Sequence, residues 1–164
     1  MTTTIQPPRA LVRAAVYVIL YQDDKVLLGR RCNTGFHDGD YSLVGGHIEE
    51  DEPVTQAVLR ETQEEAGISL ALADLELIHV MQRKNQAGPL YFDFFFVVRR
   101  WSGVIQNGEP ERCDDLRWFP LADLPPNLVP YVRNILDRLS QGTFHEQIFS
   151  EFGWPQPGNS PTQP

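Results

Sequence analysis

The apolar residues of this chain gather into short β-branched-rich runs, parted by clusters of Gly, Asp, Asn and Pro, and two stretches of helical period interrupt them. From Ala14 to Arg31 the order AAVYVILYQDDKVLLGRR gives two apolar runs around Gln22-Asp23-Asp24-Lys25, which predicts a β-hairpin. A polar loop with Asn33, Gly35, Asp38 and Gly39 follows, and Tyr41 to Val44 reads as a short strand that delivers the chain to Gly45-Gly46. The next element is a helix from Pro53 to Ala66. Proline is tolerated in a first turn, where its missing N–H has no intrahelical partner. Asp51 and Glu52 sit at the positive end of the helix dipole, and Gly67 suits the left-handed stop. Leu75 to Gln82 predicts another strand, and Asn85 to Pro89 a turn. Leu90 to Val98 is apolar on both faces, as a central strand covered from two sides would be. Leu116 to Phe119 reads as a short final strand and Leu128 to Leu139 as a helix with Val132, Ile135, Leu136 and Leu139 on its apolar side. Phe144, Ile148, Phe149, Phe152 and Trp154 read as closing the core or a dimer seam rather than binding a ligand. Past Gly153 the proline-rich polar tail predicts disorder.

Composition narrows the picture. A length of 164 residues suits one domain, with residues 1–9 a flexible N-terminus, 10–140 the folded unit and 141–164 an extension. No apolar run approaches the ~18 residues of a membrane span, and the N-terminus lacks a basic start followed by a long apolar stretch, so the expected location is cytoplasmic. Cys32 and Cys113 are too few and too far apart for a disulfide framework or a zinc site, and read as free thiols. The net charge of −8 opposes binding to a nucleic-acid duplex. Much of that charge is local, since residues 49–65 hold seven of the 22 acidic side chains.

Those seven include Glu61, Glu64 and Glu65, which share one side of the predicted helix beside the glycine pair. Carboxylates three and four positions apart on a helix are neighbours and repel unless something positive sits between them. Mg²⁺ carrying a phosphate chain is the natural candidate, because it prefers oxygen ligands and takes one or two carboxylates alongside substrate phosphates. A solvated acidic face would instead gain from lysines four residues away, and this one has none.

Residues 46–68, GHIEEDEPVTQAVLRETQEEAGI, resemble a Nudix box: Gly46, Glu52, Arg60, Glu61, Glu64, Glu65, Gly67 and Ile68 stand at its spacing, with Thr62 where that family usually carries an aliphatic residue. The resemblance implies an α/β fold, an α/β/α sandwich with a mixed sheet between helices. It implies Mg²⁺ dependence, with Mn²⁺ as a substitute, and Glu61, Glu64 and Glu65 as the catalytic, metal-binding set, joined by the carbonyl of Gly45. Arg60 and Glu52 become an ion pair that fixes loop to helix, with Gly46 and Gly67 as structural positions. Beyond the box, Arg100-Trp101-x-Gly103 followed by Glu109 resembles the loop that supplies a further metal-binding glutamate in nucleotide-sanitising members, with Glu111 the rival. Arg30 and Arg31 resemble a phosphate clamp, a salt bridge to the acidic loop being the alternative. Asn127 lies near where an asparagine reads an oxidised purine in some relatives.

The implied activity is hydrolysis of a nucleoside diphosphate linked to another group: a nucleoside triphosphate, oxidised or not, to monophosphate and pyrophosphate. The alternatives are ADP-ribose or another nucleoside-diphosphate sugar as substrate, and a non-catalytic nucleotide sensor. The partner expected is thus a small nucleotide, with a homodimer left open. An alkaline pH optimum is expected. His37, His47, His79 and His145 read as surface or loop residues, and Phe36, Tyr41 and Trp118 as core, with stacking of a base the alternative.

Overall fold

The computed structural model describes residues 10–84 and 88–154. The flexible N-terminus expected at 1–9, the tail beyond 154 and the turn at Asn85 to Ala87 lie outside the described residues. The predicted hairpin forms from β1 (Val12–Gln22) and β2 (Lys25–Arg31). Its strands pair only near the turn, Tyr21 with Val26 and Gln22 with Lys25. They then part. β1 turns to β4 (Val44–His47) on one side and β6 (Leu90–Val98) on the other, while β2 joins β3 (Tyr41–Ser42) and β7 (Cys113–Pro120). β5 (Glu76–Lys84) pairs antiparallel with β6, and β8 (Phe149–Phe152) adds in parallel beyond β5.

Alternation along β1 explains the two helices. Val16, Val18 and Leu20 point to the side covered by α1 (Val54–Ala66), where Ala57, Val58, Ala66 and Ile68 are buried with them. Ala15, Tyr17 and Ile19 point to the other side and pack with Tyr131, Val132, Ile135, Leu136 and Leu139 of α2 (Pro130–Gln141). Successive side chains of a strand face opposite ways, so a strand apolar at every position has to lie between two layers. The mixed sheet between helices expected from the resemblance is present, with β6 central, paired to β1 and β5.

Several boundaries and environments differ from the sequence reading. Pro53 is the residue preceding α1 rather than its first, and Gly67 ends the helix at φ 69° as expected. The Gly45-Gly46 pair lies inside β4 instead of following a strand. β7 begins at Cys113, earlier than Leu116, and is not the last strand. β8 is an added strand, and it includes Phe149 and Phe152, expected to close the core or a dimer seam. His79 is not a surface residue. It is fully buried, its Nδ1 donating to the carbonyl of Gln147 (3.1 Å) and its Nε2 meeting Ser150 Oγ (2.7 Å), which ties the segment before and within β8 to β5. Thr62 replaces an aliphatic residue at no cost in unpaired polarity: its hydroxyl donates to Val58 O (2.7 Å) within α1 while the side chain is fully buried.

Candidate active site

Two glycines let α1 press its glutamates against β4. Gly45 has φ 148°, and a Cβ there would lie 2.1 Å from Val16 O. At Gly46 a Cβ would fall within 2.4–2.7 Å of the Glu61 carboxylate. Any larger residue would push Glu61 away or unseat β4 from β1. The Gly45 N–H, left inside this close approach, donates to Glu65 Oε2 at 2.9 Å. Glu61 is buried, Glu65 half-buried and Glu64 exposed, so three carboxylates on one helix end differ in solvation.

Arg60 organises the entry to this region. Its Nε and Nη2 hold Glu52 bidentately at 2.8 and 2.9 Å, and Nη2 also donates to the carbonyl of His47 (3.0 Å). Its Nη1 donates to both Glu61 (2.8 Å) and Glu64 (3.0 Å). A planar guanidinium with five donors suits such branching. Glu52 in turn accepts from the Glu49 N–H at 3.0 Å, which closes the loop before α1.

The segment between β6 and β7 seats the fourth carboxylate. Gln106 N donates to Ala66 O (3.1 Å) and Gly108 N to Glu65 O (3.0 Å), satisfying carbonyls that the end of α1 leaves unpaired. Gly108 allows the approach, for a Cβ there would sit 1.9 Å from Glu64 O. Glu109 follows at once and lines the same cleft as Glu61, Glu64 and Glu65. Glu111 is exposed and absent from that lining, so of the two rivals the fold sets Glu109 beside the box.

Burial pushes the Glu65 carboxyl up to about 8; the Gly45 N–H pulls the other way, and Glu61 and Glu109 add repulsion. Burial likewise raises Glu61, against the pull of Arg60. In the folded chain Glu65 therefore keeps a proton that the unfolded chain gives up near its ordinary value of 4.5. A folded state that binds more protons loses stability as pH rises, by up to about 1.4 kcal/mol per pH unit for one group. In metal-free buffer the melting temperature should decline from pH 5 to pH 8, and Glu65→Gln should flatten part of that decline. Equal slopes for the two proteins would contradict the assignment.

The cleft measures about 640 Å³, within the range of small-ligand sites. Arg30 and Arg31 both line it. Arg30 grips Asp114 of β7 bidentately (2.7 and 3.1 Å), a salt bridge to a strand rather than to the acidic loop, while Arg31 donates to the Phe36 carbonyl (2.7 Å) and Thr34 Oγ1 (3.0 Å). Asn127 does not line the cleft. Its amide donates to Gly39 O at 2.7 Å and so fastens the 33–40 loop to the segment before α2.

Sequence reasoning missed the inner wall. There Arg83 and Asp93 form a buried bidentate pair, and the Arg83 guanidinium lies 4.2 and 4.3 Å from the ring centroids of Tyr91 and Tyr131. An acid within LYFDFFFVV was the available signal, because a buried carboxylate demands a partner. Phe36, expected in the core, is instead 40% exposed.

The donor set is wholly oxygen, which suits a hard divalent cation, and the Gly46–Glu61 approach keeps the carboxylates packed close to β4. Among the described residues no three acidic, histidine or cysteine side chains already converge on one point. Arg60 spans Glu61 and Glu64 instead, so cation binding would draw those two carboxylates off its guanidinium.

The family model for the NUDIX domain matches residues 11–139. The chain is 35% identical over 125 residues to the NAD-capped RNA hydrolase NudC of Pseudomonas aeruginosa, covering 76% of this chain and 41% of that protein. It is 31% identical over 117 residues to the human 8-oxo-dGDP phosphatase NUDT18, covering 68% and 33%. The chain thus spans less than half the length of either protein. A MutT NUDIX hydrolase from Burkholderia pseudomallei superposes with a TM-score of 0.73 at 31% identity, over 79% of this chain and 98% of that one.

Proposed function

Since the chain belongs to the NUDIX family, we propose that it hydrolyses the phosphoanhydride of a nucleoside diphosphate linked to another group. The favoured substrate is a nucleoside triphosphate, standard or oxidised, which water converts to a monophosphate and pyrophosphate. The observation that carries this reading is one cleft in which Glu61, Glu64, Glu65 and Glu109 face the Gly45-Gly46 strand. The names of NudC and NUDT18 point the same way, toward substrates built on nucleotides.

Glu61, Glu64, Glu65 and Glu109, with the Gly45 carbonyl, would hold Mg²⁺ or, as a substitute, Mn²⁺, and the bound ion supplies neutralisation of charge along the phosphate chain. The chain's own residues do the rest. One carboxylate of the set aligns the attacking water and takes its proton, a contribution of about 100- to 10,000-fold. Arg31, and Arg30 on release from Asp114, offer guanidinium forks to phosphate oxygens. The cleft walls hold the phosphorus in line with the water, as barrier lowering by position and charge requires.

The test is a chromatographic assay of all cleavage products with Mg²⁺ over standard and oxidised nucleoside triphosphates, ADP-ribose, NAD and a prenyl diphosphate. Turnover of nucleoside triphosphates with pyrophosphate as co-product is expected. Nucleotide binding with no cleavage product anywhere on the panel would make the protein a sensor and overturn the reading.

A further inference from the structure

We propose that Arg112 and Glu109 form an exchange pair at the lip of the cleft: a divalent cation that takes Glu109 frees the Arg112 guanidinium for a phosphate oxygen, so that ion and phosphate bind cooperatively. This rests on the reading of the cleft as a site for metal-bound phosphates and names the residue that couples the two.

Five arginines line the cleft: Arg30, Arg31, Arg60, Arg83 and Arg112. Four of them are committed. Arg60 holds Glu52, Glu61 and Glu64, and Arg83 is buried on Asp93. Arg30 has two hydrogen bonds to Asp114 and Arg31 two to its own loop, which each would have to give up before meeting a phosphate. The Arg112 side chain is 68% exposed, and its one ionic partner among the described residues is Glu109, with Nη1 3.9 Å from Oε2. That separation lies outside hydrogen-bond range, so this guanidinium has its donors unspent.

The backbone around the pair is fixed, and its side chains are not. Glu109 to Arg112 form one turn, in which Arg112 N and Cys113 N both donate to Glu109 O at 2.9 Å. Asn107 clamps the two ends: its Oδ1 accepts from Glu109 N (3.1 Å) and its Nδ2 donates to Cys113 O (2.6 Å). Gly108 N on Glu65 O pins the turn to α1, and Cys32 N on Arg112 O (2.9 Å) pins it to the chain just after β2. A carboxylate and a guanidinium three residues apart thus stand side by side on a rigid base. Only their side chains need turn for one partner to replace another.

Electrostatics sets the direction of that swap. An exposed ion pair at such a distance is a weak hold, and a divalent cation on Glu109 both outcompetes Arg112 and repels it. An anion on the same cation is then the nearest counter-charge, and phosphate oxygens match the guanidinium fork. Arg112 therefore opposes an ion that arrives alone and favours one that arrives with phosphate.

The test is isothermal titration calorimetry of Mn²⁺ alone, and of the Mg²⁺ complex of imidodiphosphate, an uncleavable pyrophosphate analogue. The proteins are the wild type, Arg112→Gln, Arg112→Lys and, as a control, Arg100→Gln, which removes the same charge from an exposed position outside the cleft. Arg112→Gln should bind Mn²⁺ about twofold or more tighter and imidodiphosphate about 10-fold weaker. Arg112→Lys should keep the wild-type Mn²⁺ affinity and lose part of the anion affinity, since an ammonium lacks the fork. Wild-type anion affinity in Arg112→Gln would overturn the pair, as would Mn²⁺ binding no tighter than in the wild type, or both shifts recurring in Arg100→Gln. Should melting curves show Arg112→Gln unfolded, full anion affinity in Arg112→Lys would overturn it instead. Failure of the wild type to bind ion or anion would remove both this inference and the hydrolase reading. Both shifts in a protein that cleaves no nucleotide would remove the hydrolase reading and leave the pair standing.

Discussion

Glu64→Gln and Glu65→Gln should each lower turnover at least ~100-fold while the folded structure persists. The two substitutions are nearly isosteric: Glu64→Gln removes one negative charge, and Glu65→Gln removes the charge that this carboxyl would carry once a bound cation displaced the proton that burial lets it keep. In Glu65→Gln the new amide oxygen can still accept the Gly45 N–H, so the bond at 2.9 Å that docks α1 on β4 survives. Glu64 is exposed and its one protein partner among the described hydrogen bonds is Arg60, so its loss leaves the core untouched. What both variants lose is charge where a cation and phosphate oxygens would meet. The measurement is steady-state pyrophosphate release beside far-ultraviolet circular dichroism and a melting curve. Wild-type rates in both variants would sink the assignment of these glutamates, whatever the fate of the fold.

The second large effect concerns stability. Arg83 and Asp93 are 3% and 0% exposed and hold one another by two hydrogen bonds. Asp93→Asn leaves a buried guanidinium without its counter-charge, and breaking a buried pair from one side costs about 3–5 kcal/mol. For a chain of this size that corresponds to a fall in melting temperature of roughly 10 °C. Replacing both members, Arg83→Met with Asp93→Leu, should recover much of the loss, because apolar substitutes for both carry no desolvation penalty. Differential scanning fluorimetry decides: a shift below about 3 °C for Asp93→Asn would mean that the pair is effectively solvated.

Local chemistry makes the box legible. Spacing of Glu61, Glu64 and Glu65 on a helix, a glycine stop at Gly67 and the apolar hairpin are consequences of periodicities that short windows contain, and the structure reproduces them. The preference for Glu109 over Glu111 also agrees with the cleft lining. What escapes depends on contacts between distant segments. Asn127 takes its expected role from its neighbours in sequence, yet its amide is held by Gly39, 88 residues away. His79 reads as a surface or loop residue, but β8 returns after α2 to bury it. Phe36 reads as core because phenylalanine usually is, yet it is 40% exposed. The strand β8 is unreadable as such because its four residues acquire their ladder from β5 rather than from a period of their own.

The branching of Arg60 has a practical corollary. With one guanidinium already bridging Glu61, Glu64 and Glu52, the acidic cluster carries an internal counter-ion of its own. Stripping divalent ions with a chelator would then silence the protein without unravelling it, and returning them should be enough to switch it on again.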